Sequence, residues 1–266
     1  MLAACSGGGS STGGVATGEN SIIQRFRPDV ITPGDIRLPF SLASRTAEFI
    51  TDGPDELRAQ ITDLDGNAIG EPITAVRRDV TPGPYYAFLT TITEPGFYSI
   101  VVETGPAEGA NFEVTDPSRV AIPQVGSLLP GFDTPTVGDA AGVDPICTRE
   151  PDCEFHSITL SEALATGKPV AYFIGTPAYC ATGSCTPALE ALVEAQPDYA
   201  DDMVFVHAEV WTDTTASVLT PAVEAVSLPF EPALFVTDAS GTLVERIDGL
   251  WDTTELRERL DVALAR

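Results

Sequence analysis

Two different rhythms of apolar residues divide the chain. From Ser21 to Thr115 short runs alternate apolar and polar positions and break at turn residues, as in Leu57-Arg58-Ala59-Gln60-Ile61, then Asp65-Gly66-Asn67, then a new run from Ile69. Successive side chains on an extended strand point to opposite faces, so a period of two predicts strand, turn, strand. Further runs at Tyr85 to Ile92, Phe97 to Val102 and Asn111 to Val114 are punctuated by Pro95-Gly96 and Gly105-Pro106. No helical period interrupts them, and an antiparallel all-β unit is expected over 21–115. From about Ile146 strand and helix signals alternate instead, the pattern of an α/β unit. Ser157 to Thr166 sets Leu160 and Leu164 one turn apart and ends at Gly167, which predicts a short helix. Val170 to Ile174, Met203 to Ala208 and Leu234 to Thr237 are apolar enough to be buried strands, and Thr242 to Ile247 follows as a fourth after the turn Asp238-Ala239-Ser240-Gly241. Thr186-Pro187 predicts a helix start with threonine as cap and proline in the first position, and Leu189, Leu192 and Val193 on one face. A last helix begins near Asp252 and turns Leu256, Leu260 and Val262 to Leu264 toward the sheet.

Length and composition agree with two folded units. A chain of 266 residues is long for one small domain, and a hydrophobic fraction of 43% spread through both halves supplies two cores. The expected division is 1–20, 21–115, a linker over 116–145 and 146–266. The linker segment carries Pro117, Pro123, Pro130-Gly131 and Pro135 with few charges, a semi-rigid composition. A formal charge of −25 repels phosphate backbones and anionic headgroups, which argues against nucleic acid as a partner. No stretch of the chain approaches the ~20 consecutive apolar residues of a spanning helix.

The first residues add an expectation about location. Leu2-Ala3-Ala4-Cys5 reads as the end of a lipoprotein signal, with small residues before a cysteine that becomes lipidated, and Ser6 to Gly18 is a Gly/Ser/Thr-rich tether. The basic and apolar segments of such a signal would lie upstream of Met1. An extracytoplasmic protein, held to the cell membrane through lipid on Cys5, is expected. Besides Cys5 there are Cys147, Cys153, Cys180 and Cys185, an even set in two close pairs, which fits an oxidising compartment. Four cysteines allow three connectivities, and the spacing favours neighbours.

Two resemblances sharpen the picture. Pro95-Gly96-Phe97-Tyr98-Ser99-Ile100-Val101-Val102 is similar to the late strands of immunoglobulin-like extracellular modules, without their Cys-Trp-Cys core signature, so an Ig-like sandwich is expected in architecture only. In the second half, Gly167-Lys168-Pro169-Val170, a strand, and then cysteines at a helix start resemble the opening of thioredoxin-fold proteins. Leu228-Pro229-Phe230-Glu231-Pro232-Ala233-Leu234-Phe235-Val236-Thr237-Asp238-Ala239-Ser240-Gly241 resembles that family's cis-proline strand and hairpin, and Gly249 ends the match. A thioredoxin-like domain is therefore expected from about Ser157 to Arg266.

What this resemblance implies is chemical. Unpaired N–H groups and the dipole at a helix start stabilise a thiolate. By resemblance Cys180 is the attacking thiol, Cys185 the resolving one, and Pro232 lies in cis beside them to orient a partner's backbone. The implied activity is thiol-disulfide exchange on exported proteins with cysteines or with a redox partner protein, and no cofactor or metal is called for. The spacing departs from the family's Cys-x-x-Cys, because Ala181-Thr182-Gly183-Ser184 separates the pair. Residues five apart on one regular helix are roughly 8 to 9 Å apart, beyond disulfide reach, so a bond requires Cys180 to sit in a loop before the helix. Tyr179 stands where the family has tryptophan, and no carboxylate occurs in Val170 to Gly175 to act as a buried proton acceptor.

Other readings of the same residues stay open. Cys180 and Cys185 could form a bond that only staples a loop, which would leave a non-catalytic scaffold or binding lipoprotein. Cys147 and Cys153 flank a polar loop and read as a structural disulfide. His156 and His207 offer imidazoles, and some thioredoxin-fold copper-delivery proteins combine a cysteine pair with one histidine, but packing is the expected role of both. Asp238 and Gly241 belong to a hairpin turn, and Trp211 and Trp251 to packing.

Overall fold

The computed structural model of the protein describes residues 15–265. Cys5 and most of the tether lie outside the described residues. The first part is all antiparallel: β1 (Ser21–Gln24), β2 (Gly34–Ala43), β3 (Glu56–Asp63), β4 (Ala68–Arg78), β5 (Tyr85–Ile92), β6 (Gly96–Val102) and β7 (Ala110–Val114) form one seven-stranded sheet in the order β1-β2-β5-β4-β3-β6-β7. This corrects the expected pair of separate sheets. The cause is β4, whose Ala68, Ile69 and Ile73 to Val76 pair with β3 while Arg77 and Arg78 pair with Tyr86 and Tyr85 of β5, so one strand carries the ladder across both halves. The sheet curls around a single core of Leu38, Phe40, Leu57, Ile61, Phe88, Ile100 and Phe112. Its far ends meet where Gly18 N donates to Gly105 O at 2.8 Å and Thr104 N to Ala16 O at 2.9 Å. The result is close to a barrel, which leaves little open edge.

The second part is a four-stranded sheet in the order β11-β10-β8-β9, built from β8 (Val170–Ile174), β9 (Val204–Ala208), β10 (Ala233–Thr237) and β11 (Leu243–Asp248). β8 and β9 are parallel, and β10 is antiparallel to both β8 and β11. Parallel neighbours need a crossover, which α2 (Cys185–Tyr199) supplies. All five residues of β8 are buried, because the sheet is covered on both faces. Ala171 and Phe173 face α2 and α4 (Thr253–Leu264), while Val170, Tyr172 and Ile174 face α1 (Leu160–Ala165) and α3 (Pro221–Ala225). This parallel pair, the strand after Pro232 and its hairpin are the elements that the thioredoxin-like resemblance implies.

Local chemistry explains the helix ends. Thr159 and Glu162 form a reciprocal capping box on α1, and Asp252 accepts from Glu255 N at α4. α2 starts earlier than Thr186-Pro187 suggests: Cys185 is its first residue and Ser184 occupies the cap position. Residues 116–145, the proline-rich connection, do not hang free. Gly126 N donates to Leu243 O, Leu243 N to Ser127 O and Leu129 N to Gly241 O, while Ile122 and Leu129 join the core on the α1 side.

The two parts are joined by a buried polar contact. Alternation on β2 points Leu38 into the first core and Arg37 out of it, onto the second part. There the Arg37 guanidinium donates to both oxygens of Glu255 at 2.6 and 2.7 Å, to Leu250 O at 2.7 Å and to Asp248 O at 3.2 Å. Tyr85 Oη donates to Glu255 at 2.6 Å, and Arg78 bridges Asp252 and Glu258. Burial works against the Arg37 charge, but the Glu255 carboxylate outweighs it and holds the guanidinium above its ordinary value. Removing one member of a buried pair strands the other charge, which costs about 3–5 kcal/mol. Arg37→Ala is therefore expected to destabilise the protein by that amount, whereas Arg27→Ala, in an exposed pair with Asp29, should change stability little. Urea unfolding of both variants checks this, and equal losses would contradict it.

Candidate functional site

The end of β8 hands the chain to α2 through Gly175 to Ser184, and this segment carries the first cysteine pair. Cys180 and Cys185 are bonded, with Cα atoms 5.9 Å apart. The five-residue separation is accommodated because only Cys185 lies on the helix. Gly183 N donates to Cys180 O at 3.1 Å, and Gly183 has φ +68°, a left-handed conformation that glycine adopts without steric cost. The turn thus folds Cys180 back over the first turn of α2, where Cys185 N donates to Cys180 Sγ at 3.3 Å. An N–H donor at a helix start favours negative charge on that sulfur.

The two sulfurs differ in access. Cys185 is fully buried, whereas Cys180 is half-buried and flanked by exposed Tyr179, Ala181, Thr182 and Gly183. Thr182 Oγ1 lies 3.3 Å from Cys180 Sγ. The Glu231–Pro232 peptide is cis, and buried Pro232 leads directly into β10. It therefore places Glu231 at the pair, with Oε2 3.4 Å from Cys185 Sγ. The same oxygen accepts from Thr176 N at 2.7 Å. Burial raises the Glu231 carboxyl to about 7, and the nearby Glu209 carboxylate adds to the rise. The acid sought in Val170 to Gly175 is thus supplied from outside that segment. Its sequence signal was its position immediately before Pro232.

The second pair sits in a different setting. Cys147 and Cys153 are free buried thiols with sulfurs 3.7 Å apart, so the expected staple is not formed. His207 faces them: it lies on β9, on the same sheet face as its register partner Phe173, and its Nδ1 is 3.9 Å from Cys147 Sγ and 3.4 Å from Cys153 Sγ. Contact with Cys153 holds the Cys147 thiol below its ordinary value, and contact with Cys147 pushes the Cys153 thiol above it. His156 is buried in the same group, its ring centroid 4.7 Å from that of His207. The sequence led to packing as the expected role of both histidines. The structure instead brings both to Cys147 and Cys153, and it is Glu231 that lies with Cys180 and Cys185.

Glu209 ties the two regions together. Its carboxylate accepts from Thr148 N at 2.6 Å, Thr148 Oγ1 accepts from Ala178 N at 3.1 Å, and burial raises the carboxyl. Asp238 accepts from Ser240 N and Thr242 N in the hairpin turn, and Trp251 is buried with Nε1 donating to Ala188 O, so these residues do structural work. A groove of about 500 Å³ lies between the two parts and is lined by Arg27, Arg37, Arg246 and Arg259, with no cysteine.

Neither a family model nor a curated protein sequence matches the chain. Among solved structures, a provisionally assigned thiol:disulfide interchange protein DsbE of Chlorobium tepidum is similar at 17% identity, over 53% of this chain and 98% of that one, with a TM-score of 0.39. The C-terminal domain of a provisionally assigned thiol-disulfide oxidoreductase from Bacteroides thetaiotaomicron is 12% identical, over 53% of this chain and 97% of its own, with a TM-score of 0.38. A further thiol:disulfide interchange protein of the thioredoxin family from Chlorobium tepidum is 17% identical, over 53% of this chain and 99% of its own, with a TM-score of 0.35.

Proposed function

We propose that this protein exchanges disulfides with exported proteins through Cys180 and Cys185, working outside the cytoplasm from a lipid anchor on Cys5. The observation that carries the reading is the asymmetry of the pair, with an accessible sulfur on a helix-start N–H and a buried sulfur on a carboxyl titrating near neutrality. In the oxidising direction a partner thiolate attacks Cys180 Sγ and the Cys180–Cys185 bond breaks. Cys185 departs as a thiolate and takes the proton of the Glu231 carboxylic acid. The partner's second thiolate then attacks the partner sulfur of the mixed disulfide, and Cys180 leaves as a thiolate facing the N–H of Cys185. The partner ends as a disulfide and the pair as two reduced cysteines; the reverse sequence reduces a partner disulfide. In that reverse direction the Glu231 carboxylate accepts the proton of Cys185 before Cys185 resolves the mixed disulfide. Pro232, beside the pair, is the element that the resemblance assigns to holding a partner's backbone.

Two experiments test this. Cys185→Ser removes the resolving sulfur, so this variant should accumulate a mixed disulfide with a cysteine peptide, and its Cys180 should be alkylated faster at neutral pH than the thiol of an unstructured peptide. Alkylation no faster than the peptide would leave only a structural bond. In the native chain, the rate of disulfide reduction by a dithiol, corrected for its thiolate fraction, should fall as pH rises through about 7, where Glu231 loses its proton. Glu231→Gln should abolish that bend and slow reduction at low pH by up to about 10²-fold, the lower end of what a positioned acid contributes.

The same carboxyl predicts a stability effect. Its folded value, about 7, lies above its ordinary 4.5, so the folded state binds the extra proton and loses that stabilisation as pH rises between these limits. Glu231→Gln should flatten the stability profile across this window in urea unfolding. An unchanged slope would contradict the shifted carboxyl.

A further inference from the structure

The irregular segment between β7 and α1 runs for 45 residues without a strand or α-helix, yet Cys147, Cys153, Phe155 and His156 within it are all buried, none more than 7% exposed. A long stretch of this kind in a compact domain is uncommon and usually functional. The donor atoms of Cys147, Cys153, His156 and His207 all lie within 4.8 Å of one another, and all four residues are buried. Cys180 and Cys185 are not among them.

Three observations point to a ligand rather than to packing. First, neither ring nitrogen of buried His156 has a hydrogen-bond partner among the described residues, although an orphaned buried polar atom is costly. Second, His207 Nε2 lies 2.9 Å from Gly175 O. A carbonyl can only accept, so Nε2 carries a proton, and in the neutral ring the lone pair of Nδ1 faces the two sulfurs. This is how an outer-shell carbonyl orients a metal-binding imidazole. Third, the distances among three of the donors fit. A tetrahedral zinc with Zn–S about 2.3 Å and Zn–N about 2.0 Å has S···S edges of roughly 3.8 Å and S···N edges of roughly 3.5 Å. The sulfurs here are 3.7 Å apart, and His207 Nδ1 is 3.4 and 3.9 Å from them.

We infer that Cys147, Cys153, His156 and His207 form a structural Zn²⁺ site that clips the segment before α1 onto β9. Two sulfurs and two imidazole nitrogens are a closed donor set for this borderline-soft ion, with no position left for water. Binding releases both thiol protons to solvent, and the two thiolates cancel the charge of the ion, so the buried site is neutral. No electron is transferred. The clip also holds Thr148, which links Glu209 to the segment bearing Cys180.

The test uses the full chain with Cys5, Cys180 and Cys185 replaced by serine, so that its only thiols are Cys147 and Cys153. After reduction and removal of metal, it is titrated with Co²⁺. The expected result is one Co²⁺ per chain, with the intense visible bands of tetrahedral cobalt and a thiolate charge-transfer band, both erased by one equivalent of Zn²⁺. His156→Gln and Cys153→Ser in this background should each weaken binding by more than the ~10–100-fold that loss of an outer-shell partner costs. Because a ligand variant could fail to fold, a second measurement uses the unsubstituted ligands: Zn²⁺ should raise the melting temperature and shield both thiols from iodoacetamide. A reduced, folded chain that gives no tetrahedral cobalt spectrum and no zinc protection would overturn the site. So would a spectrum that persists in a folded His156→Gln, Cys153→Ser double variant.

Discussion

The contact on which the proposed disulfide exchange depends is that of the Glu231 carboxyl with the buried sulfur of Cys185. A disulfide can be opened productively only if the departing sulfur is stabilised, and a sulfur shut away from water cannot draw a proton from solvent. Glu231 answers this from the other side of the sulfur, because it stands just before Pro232, which leads into β10. The other sulfur needs no acid. It meets the N–H of Cys185 and stays within reach of solvent, so the two halves of one bond are prepared for different roles. The wide spacing of the cysteines does not prevent this, since the extra residues form a turn outside the helix and leave the pair 5.9 Å apart at Cα.

The helix that carries Cys185 is linked to the first part of the protein. Arg37, Tyr85 and Glu255 link the near-barrel to α4, and α4 in turn packs on α2, whose first residue is Cys185. The orientation of the first part is therefore tied to the helix that carries Cys185 and its bond to Cys180. On the other side, Glu209 and Thr148 bind the segment of the second cysteine pair to the loop of the first. The cysteine turn thus sits between two anchored neighbours, with Cys180 and its exposed flank turned outward.

Much of the second part was legible because its signals are local. The buried strands announce themselves by apolar runs, and the hairpin by its Asp-x-Ser-Gly turn. The start of α2 was misplaced because Ser184 and Thr186 are both good caps, and only the return of Cys180 onto the helix decides between them. The first part was legible as antiparallel strands but not as a curled sheet, since the switch of partners along β4 leaves no mark in periodicity. β2 was overlooked for a related reason: every residue from Leu38 to Ala43 is buried, so alternation is erased. Glu231, His156 and His207 were hardest to read, because each gains its meaning from a residue far away in the chain.

Two thiols can share a bond either to fasten a loop or to pass electrons, and the energy of that bond separates the two uses. The most direct measurement is the reduction potential of the Cys180–Cys185 pair in the intact chain, read by equilibrating it with glutathione buffers and quantifying the two redox forms by mass. An exchanging pair, with Cys180 stabilised as a thiolate and Cys185 supplied with a proton, should lie above about −300 mV. A potential well below that value would mark a bond made only to hold the loop closed, and would contradict the account.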